Sequence, residues 1–525
     1  MSSTRREFLQ TAGLAFGSAI ALPSWVFEHE ASASAATIDK NGLADVALAT
    51  AKRAGASYAD IRINRYRFEA INTRERQVQQ VSRSQSFGFG VRVLWQGTWG
   101  FAASREVTPA EVRRVTQEAV GIARANAAHQ RKRITLAPAP KAVTSWRSTF
   151  ERDPFDVPLD DKIQFLLKLN EKALAVKGVS FINSGLVFVN EQKFFASTDG
   201  SRIEQYLIRS NPSFNVTAVN RDNGDFQTRA SLLGPKGIGY EYLTQHDWLK
   251  EAELAGNEAV MKLQAKPVAP DKYDLLLHPT HLFLTIHESV GHSTELDRAL
   301  GWEADYAGTS FLTPDKTGKF QFASKIVNLY ADRTQQGGLA TTGYDDDGVA
   351  AQKWHLIKDG LFVDWQTTRD LAPLIGRKTS YGCSYADSWG SVPFPRMPNV
   401  SLEPAKENNK LEDLAADIKD GILFHGRGSY SIDQQRYNFQ FGGQTFYEIK
   451  NGKVGAMLRD VAYQSRTPDF WNACDMLGGQ STYELSGSFN DGKGQPGQSN
   501  AVSHGCPIAR FRGINVLNTA ARGNR

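Results

Sequence analysis

Cysteine is scarce in this chain, which has only three among 525 residues: Cys383, Cys474 and Cys506. Three thiols close at most one bridge, so a disulfide-stapled scaffold is excluded and one thiol stays free or available to a metal. Long hydrophobic runs are also missing. The apolar stretch at residues 11–22 spans about twelve residues, too few for a permanent membrane anchor. With a mean hydropathy of −0.40, we expect a soluble mature protein without a stable membrane span.

A strong excess of one charge is absent as well. The chain carries 61 Lys and Arg against 56 Asp and Glu, a net charge of +5. This small surplus is spread over the whole length, and the sequence shows no basic patch with interleaved aromatic residues. The charge pattern therefore predicts no nucleic-acid partner.

The N-terminus carries a twin-arginine export pattern, TRREFL, at residues 4–9. The apolar stretch at 11–22 follows it, and residues 31–35 (ASASA) offer two small-residue cleavage sites. No cysteine lies near this region, so a lipoprotein is not expected. We predict a signal peptide over residues 1–35 and a periplasmic or secreted protein exported by the twin-arginine pathway.

The rest of the chain predicts an α+β fold in two parts, separated by a Pro-bearing linker, KPVAP, at residues 266–270. Residues 37–265 mix helices and strands in two subparts, 37–130 and 155–265. Residues 271–525 are rich in glycine, aromatics and short alternating runs, which predicts a β-rich domain. The predicted helices are 43–54, 109–126, 160–176, 247–264 and 281–300, and the predicted strands are 58–64, 77–94, 98–104, 204–209, 213–220, 226–233 and 271–277.

The predicted helix at 281–300 contains the most informative segment, HESVGH, at residues 287–292. Two imidazoles can hold a metal such as zinc, and an adjacent carboxylate can take a proton from a metal-activated water. His287 and His292 are five residues apart, about 140° around a regular α-helix. A turn of roughly 4.4 residues would bring them onto one face, so we predict a π-bulge. Gly291 is where the backbone could bend most easily.

Other nearby polar residues have weaker signals. Glu295 follows His292 by three residues, as a further ligand or a partner of a ligand would, although a solvated surface carboxylate is the alternative. His278 and His281 have no carboxylate spaced to work with them, so we interpret both as structural or incidental.

Several motifs together resemble the TldD/PmbA family of metallopeptidases, in its catalytic TldD branch. Besides HESVGH with Glu295, they are the glycine- and tryptophan-containing segment 87–104, GYDDDG at 343–348, RMPN at 396–399, GKGQP at 492–496 and VSHG at 502–505. They occur in the same order over nearly all of the mature chain.

The resemblance implies an α+β N-terminal domain followed by a β-rich catalytic domain carrying a metal-binding helix. It implies a zinc-dependent peptidase acting on unfolded or extended peptides, with one Zn²⁺ per subunit. His287 and His292 would be ligands and Glu288 the general base. Family members form dimers that enclose the site, so we expect a homodimer or a heterodimer with a PmbA-type subunit.

One position departs from the family pattern. The family usually supplies a third ligand as a cysteine just before GKGQP, and this chain has Asp491 there. A carboxylate is an acceptable zinc ligand, but it is harder than a thiolate and suits Mn²⁺ or Fe²⁺ as well. Alternatively, Cys506 or His504 completes the site, or no third protein ligand exists.

The sequence allows two roles for Arg396. In the first, it stabilises the oxyanion or holds a substrate carboxylate; in the second, it forms an ion pair with the acidic run 345–347. That run is interpreted as a turn and strand cap, because a Ca²⁺ loop would need alternating ligands.

Three functions other than peptidase remain possible from the sequence. They are a non-catalytic peptide- or metal-binding protein that kept the fold, a partner subunit with vestigial histidines, and an amidohydrolase of small molecules.

Overall fold

The computed structural model describes residues 38–520. The predicted signal peptide at 1–35 lies outside the described residues, so export stays a prediction. Within the described residues, none of the helices combines the length and the apolar character needed to cross a membrane.

The N-terminal half is built around one large sheet covered by helices. Its helices are α1 (Lys40–Arg53), α2 (Pro109–Ala127), α3 (Leu159–Leu174), α4 (Tyr242–Gln245) and α5 (Trp248–Gln264), and its strands are β1 (Tyr58–Arg74), β2 (Gln77–Trp95), β3 (Thr98–Ser104), β4 (Val143–Arg147), β5 (Val179–Ser197), β6 (Arg202–Val219), β7 (Phe226–Ala230) and β8 (Lys266–Pro267).

The strand order β3-β2-β1-β5-β6-β4, with β7 also on β6, places both predicted subparts in the same sheet. Strand alternation gives this sheet two apolar faces. Ile61, Ile63 and Ile71 face the helices, whereas Tyr66 and Phe68 face the C-terminal half and pack with its Trp389.

Two strand predictions were wrong in length. The strand predicted at 58–64 continues to Arg74, because it stays paired with β2 and β5 on both sides. The strands predicted at 204–209 and 213–220 are the single strand β6, which passes through Pro212. On one edge of β6, Pro212 pairs with Leu186 of β5. On the other edge, Pro212 lies between the residues that bond to β4 and those that bond to β7, so its missing N–H costs no ladder hydrogen bond on that edge.

The C-terminal half is β-rich. Its strands are β9 (Asp271–Leu277), β10 (Leu329–Asp332), β11 (Lys353–Lys358), β12 (Leu361–Phe362), β13 (Ser384–Tyr385), β14 (Phe394–Pro395), β15 (Asn399–Leu402), β16 (Asp420–Ile432), β17 (Asn438–Lys450), β18 (Lys453–Arg459), β19 (Val461–Arg466), β20 (Cys474–Leu477), β21 (Glu484–Lys493), β22 (Gln498–Cys506) and β23 (Ala509–Asn518), and its helices are α6 (Pro279–Ile286), α7 (Leu296–Ala299), α8 (Leu411–Ala415) and α9 (Thr467–Asn472). The predicted α+β class is therefore confirmed.

Five of these strands close a ring. β16 pairs with β9 and with β17, and β9 connects to β17 through β23 and β19. Aromatic side chains fill the interior around Tyr463, among them Phe424, Phe439, Phe441 and Phe470. Helix α6 packs on β16 and on the separate hairpin β21–β22. The ring thus fixes α6, and with it the chain that leaves the C-terminal end of α6.

Buried ion pairs join the two halves of the protein. Arg92 of β2 donates to Asp60 of β1 at 2.8 Å and also to Asp347, and Lys193 of β5 lies 2.7 Å from Asp346. These side chains are almost fully buried. Removing one member of such a group leaves an uncompensated charge in the interior, which is costly.

We expect Arg92→Met to destabilise the protein by about 3–5 kcal/mol, because Asp60 and Asp347 would then remain buried without their cation. Thermal unfolding followed by calorimetry measures the effect. Arg114→Met is the matched control, since the Arg114 ion pairs lie on the exposed face of α2 and contribute little. Equal unfolding temperatures for Arg92→Met and Arg114→Met would contradict a structural role for the buried ion pairs.

Candidate metal centre

The segment after α6 forms the π-turn that the histidine spacing predicts. α6 ends at Ile286, and residues His287–Gly291 adopt π-helical geometry in which the His292 N–H bonds to the His287 carbonyl. This prediction is confirmed. A single continuous helix over 281–300 was wrong, because Glu295 is extended and breaks it. The backbone on either side of Glu295 bonds to Gln366 instead of continuing the helical pattern.

The π-turn brings both imidazoles to one point, opposite a carboxylate from β21. In the described part of the chain, His287, His292 and Asp491 are the group of buried side chains whose donor atoms lie within 4.8 Å of one another. Each imidazole Nε2 is 3.6 Å from Asp491 Oδ1. Two ligands of a tetrahedral zinc ion lie about 3.4 Å apart, so the spacing and the N, N, O donor set fit a divalent metal.

Asp491 is held in place by Arg396. The guanidinium donates to Asp491 Oδ2 at 3.0 Å, to the Asp491 carbonyl, and to the Gln498 carbonyl at 3.0 Å. Burial alone would raise the pKa of the Asp491 carboxyl, but the charge of Arg396 and the two imidazoles lower this pKa far below its ordinary value. Asp491 is therefore ionised, with Oδ1 left to face the histidines.

The predicted alternatives for Arg396 need correction. Arg396 is buried and bonded to Asp491, so it does not face a substrate. An ion pair with residues 345–347 is also wrong, because Asp346 and Asp347 pair with Lys193 and Arg92 of the N-terminal sheet, and Asp345 accepts backbone N–H groups. Lys493 of β21 donates to the carbonyl of Pro395 in β14 at 3.0 Å, so the residue that follows β14, Arg396, lies beside β21 and meets Asp491.

His504 orients His287. The His504 Nδ1 lies 2.8 Å from the Val400 carbonyl, and its Nε2 lies 2.8 Å from His287 Nδ1. A carbonyl only accepts, so His504 Nδ1 carries the proton and its Nε2 accepts from His287 Nδ1–H. The lone pair of His287 Nε2 then faces Asp491. Burial, followed by the neighbouring His287, holds the pKa of His504 well below its ordinary value, which keeps it a neutral acceptor.

Glu295 orients His292 in the same way. Its Oε2 lies 2.9 Å from His292 Nδ1, so a donated Nδ1–H directs Nε2 toward Asp491. Lys493 lies 3.0 Å from Oε1, and the Arg298 Nε lies 2.9 Å from Oε2. Burial would raise the pKa of Glu295, but Lys493 and Arg298 lower it well below its ordinary value. Glu295 is thus a buried partner of a ligand, not a solvated surface carboxylate.

The shared carboxylate affects the two imidazoles differently. Burial lowers the pKa of His287, but the hydrogen bond and the charge of Asp491 raise it above the ordinary value. Burial and the nearby Arg298 lower the pKa of His292 to about 4. Negative charge at Asp491 therefore favours one positive charge between the three side chains, the place a metal cation would take.

The structure does not bring Cys506 to this group. The Cys506 Sγ contacts the Pro279 carbonyl at the start of α6, at 3.8 Å. Cys383, Cys474 and Cys506 are all buried and free, so the single bridge that the composition permits is not formed.

Glu288 lies beside the ligands with its own partners. Arg436, on the turn between β16 and β17, donates to Glu288 Oε2 at 2.8 Å. The hydroxyl of Tyr430, near the end of β16, also hydrogen-bonds the Glu288 carboxylate. The sequence carries no signal for Tyr430 or Arg436. Lys493 did have one, since alternation on β21 places it on the same face as Asp491.

Three residues have structural roles. Gly291 has an ordinary helical backbone (φ −54°), so its expected role as a flexible bend needs correction: an added Cβ would lie 2.5 Å from Met397 Sδ, and glycine is required for close packing. His278 caps α6 and stacks on His425, and His281 bonds the Gly426 carbonyl. The prediction that both histidines are structural is confirmed.

Comparisons with known proteins agree with this arrangement. Sequence models of the PmbA/TldA metallopeptidase match in three segments: domain 1 at residues 59–123, the central domain at 152–266 and the C-terminal domain at 270–518. The chain is 28% identical over 448 residues to metalloprotease MJ0996 of Methanocaldococcus jannaschii, covering 85% of this chain and 94% of the relative.

Two further similarities cover most of the chain. The zinc metalloprotease TldD homolog of Saccharolobus solfataricus is 24% identical over 470 residues, covering 89% of this chain and 98% of the relative. The crystal structure of TldE from Thermococcus kodakarensis superposes with a TM-score of 0.69 at 16% identity, covering 90% of this chain and 98% of that one. At this identity the structural likeness shows the fold.

The packing at Gly291 predicts that Gly291→Ala costs about 1–3 kcal/mol and weakens metal binding, because the new methyl group would displace Met397 or the π-turn. Met397→Ala in the same chain should restore part of the zinc affinity by making room. Gly121→Ala, on an open face of α2, is the control and should leave zinc affinity unchanged. Undiminished zinc affinity in Gly291→Ala, measured by calorimetry, would contradict this role.

The bond between His504 and His287 predicts a second effect on the metal. His504→Phe removes the acceptor that fixes the His287 tautomer, and we expect zinc affinity to fall roughly 10–100-fold. A competition titration with a chelating dye measures it. His355→Phe, a half-exposed histidine paired with Glu403, serves as control. Equal zinc affinities in His504→Phe and His355→Phe would show that His504 has no role in the metal centre.

Proposed function

Because the chain belongs to the PmbA/TldA metallopeptidase family, as its three matched domains show, we propose that it is a metal-dependent peptidase that hydrolyses unfolded or extended peptides. The observation that carries the proposal is the meeting of two imidazole Nε2 atoms and Asp491 Oδ1 beside Glu288. Two nitrogens and a carboxylate are a known ligand set of hydrolytic zinc enzymes.

His287, His292 and Asp491 would hold the cation. When bound, such an ion makes a water more acidic and polarises a carbonyl. The protein's own part is the proton transfer. Glu288 takes a proton from the attacking water, and after the C–O bond has formed it gives that proton to the amine nitrogen as the C–N bond breaks.

Zinc is our proposal for the metal, at one ion per subunit. It is supported by the name of the Saccharolobus solfataricus relative, a zinc metalloprotease, and by the buried N, N, O donor set. Asp491 is a harder donor than a thiolate, which favours Mn²⁺ or Fe²⁺ more than a cysteine would.

A dimer is our proposal for the assembly, either of two copies or with a PmbA-type subunit. Its support is the fold shared with TldE of Thermococcus kodakarensis and the family resemblance of the motifs.

The decisive experiment compares the wild type with Glu288→Gln on a library of unstructured peptides, read by mass spectrometry with Zn²⁺ or Mn²⁺ supplied. We expect the wild type to cleave and the variant to lose activity about 10²–10⁴-fold, because the amide cannot accept the proton. Metal content should stay equal, since Glu288 is not a ligand. Glu118→Gln, on the exposed side of α2, should cleave like the wild type.

The other outcomes separate the rival functions. If metal is bound but the peptides stay intact in every variant, the protein is a peptide- or metal-binding protein and not a peptidase. Peptides that do not bind at all, with turnover of a small amide, would point to an amidohydrolase. Full activity in Glu288→Gln would remove Glu288 as the base.

A further inference from the structure

The turn that carries Arg436 is rigid. Arg436 has a left-handed backbone (φ +64°), which is uncommon for any residue other than glycine. Asp433 accepts the N–H groups of Tyr437 and Asn438 at 2.8 and 2.9 Å, and Thr467 donates its hydroxyl to the Arg436 carbonyl at 2.7 Å. A strained residue persists where its surroundings fix it in this way, and such sites concentrate at functional centres.

Arg436 uses this position to fix the catalytic carboxylate. Its Nη1 donates to Glu288 Oε2 at 2.8 Å, and its Nη2 donates to the Ala307 carbonyl at 3.2 Å. The side chain is mostly buried. Both of these hydrogen bonds lie inside the protein, and Arg436 therefore holds Glu288 in one orientation.

Tyr430 differs from the buried Arg436 because part of its side chain faces the solvent. It is 52% exposed, its ring lies nearly parallel to Phe441, with centroids 6.2 Å apart, and its hydroxyl reaches the Glu288 carboxylate. Of Arg436 and Tyr430, both of which contact Glu288, Tyr430 is the one that a peptide entering from solvent can meet.

We propose that Tyr430 is a catalytic residue whose hydroxyl donates a hydrogen bond to the oxygen of the scissile carbonyl as negative charge develops on it. This inference rests on the proposed peptidase function. The water oxygen bonds to the carbonyl carbon, and the electron pair of the C=O π-bond moves to the carbonyl oxygen. Tyr430 keeps its proton throughout, while Glu288 receives the proton of the water.

The loss of charge at Glu288 explains why the Tyr430 hydroxyl would move its hydrogen bond from Glu288 to the carbonyl oxygen. Before the attack Glu288 is the charged acceptor, and hydrogen bonds to charged oxygens are the stronger ones. After the attack Glu288 is protonated and neutral, whereas the carbonyl oxygen carries the charge. The hydroxyl therefore gains a better acceptor only in the transition state, which is the condition for catalysis by binding.

The acidity of the phenol agrees with this role. The charge of Glu288, followed by burial, raises the pKa of Tyr430 to about 12. The hydroxyl is therefore a hydrogen-bond donor over the whole physiological pH range.

Tyr430→Phe tests the proposal, because it removes the hydroxyl and leaves the ring on Phe441. We expect kcat to fall about 10²-fold, as for the loss of one oxyanion donor, with KM changed less than about threefold. The affinity for a phosphinic peptide, whose tetrahedral anion resembles the intermediate, should fall by a similar factor. Zinc content and binding of an uncleaved peptide in the Glu288→Gln background should stay unchanged.

Tyr306→Phe is the matched control, an exposed tyrosine on the neighbouring loop, and should behave as the wild type. Unchanged kcat and phosphinic-peptide affinity in Tyr430→Phe, with the wild type active, would overturn this inference alone. An equal loss of uncleaved-peptide affinity would overturn it too, since Tyr430 would then only bind the substrate. A wild type that cleaves no peptide would overturn the proposed function and this inference with it.

Discussion

One backbone hydrogen bond, from the His292 N–H to the His287 carbonyl, sets the direction of both imidazoles. In a regular α-helix the two rings would point about 140° apart and could not share a metal. The longer turn has poorer packing along its own axis, so its neighbours must stabilise it. Met397 fills the space above Gly291, and Gln366 donates to the Gly291 carbonyl. Helix α9 also supports the turn, since its Trp471 donates to the Ser289 hydroxyl at 2.9 Å.

Given that turn, the chemistry depends on three buried carboxylates that have different cations. Arg436 is bonded to Glu288, Lys493 and Arg298 to Glu295, and Arg396 to Asp491. Such pairing is what makes buried charge tolerable. The pairing also gives each carboxylate a separate role, because the part of each carboxylate that its cation leaves free contacts a different neighbour. Asp491 faces the two imidazoles, Glu295 accepts from His292, and Glu288 is reached by the exposed Tyr430.

The sequence predicted the parts of this site that are encoded locally. The five-residue spacing of the histidines required the π-turn. Asp491 was predicted from the family resemblance instead, because that family supplies a third ligand just before GKGQP, and Cys506 or His504 remained as alternatives. The hairpin of β2 and β3 and the Thr108 cap of α2 were also readable, since hairpins and caps depend on adjacent residues. Contacts between distant segments were not readable. Nothing near Arg396 indicates that it meets Asp491, and the polar turn at 433–438 resembles any other surface turn.

The presence of aspartate instead of cysteine at position 491 has a geometric consequence. A carboxylate has two oxygens, so Asp491 accepts from Arg396 with Oδ2 while Oδ1 faces the imidazoles. A thiolate has one donor atom and would have to divide it between the guanidinium and the ion. The second oxygen therefore lets one buried side chain serve the arginine and the metal together. Because the arginine keeps this carboxyl ionised despite its burial, the ligand does not need to lose a proton when a cation arrives.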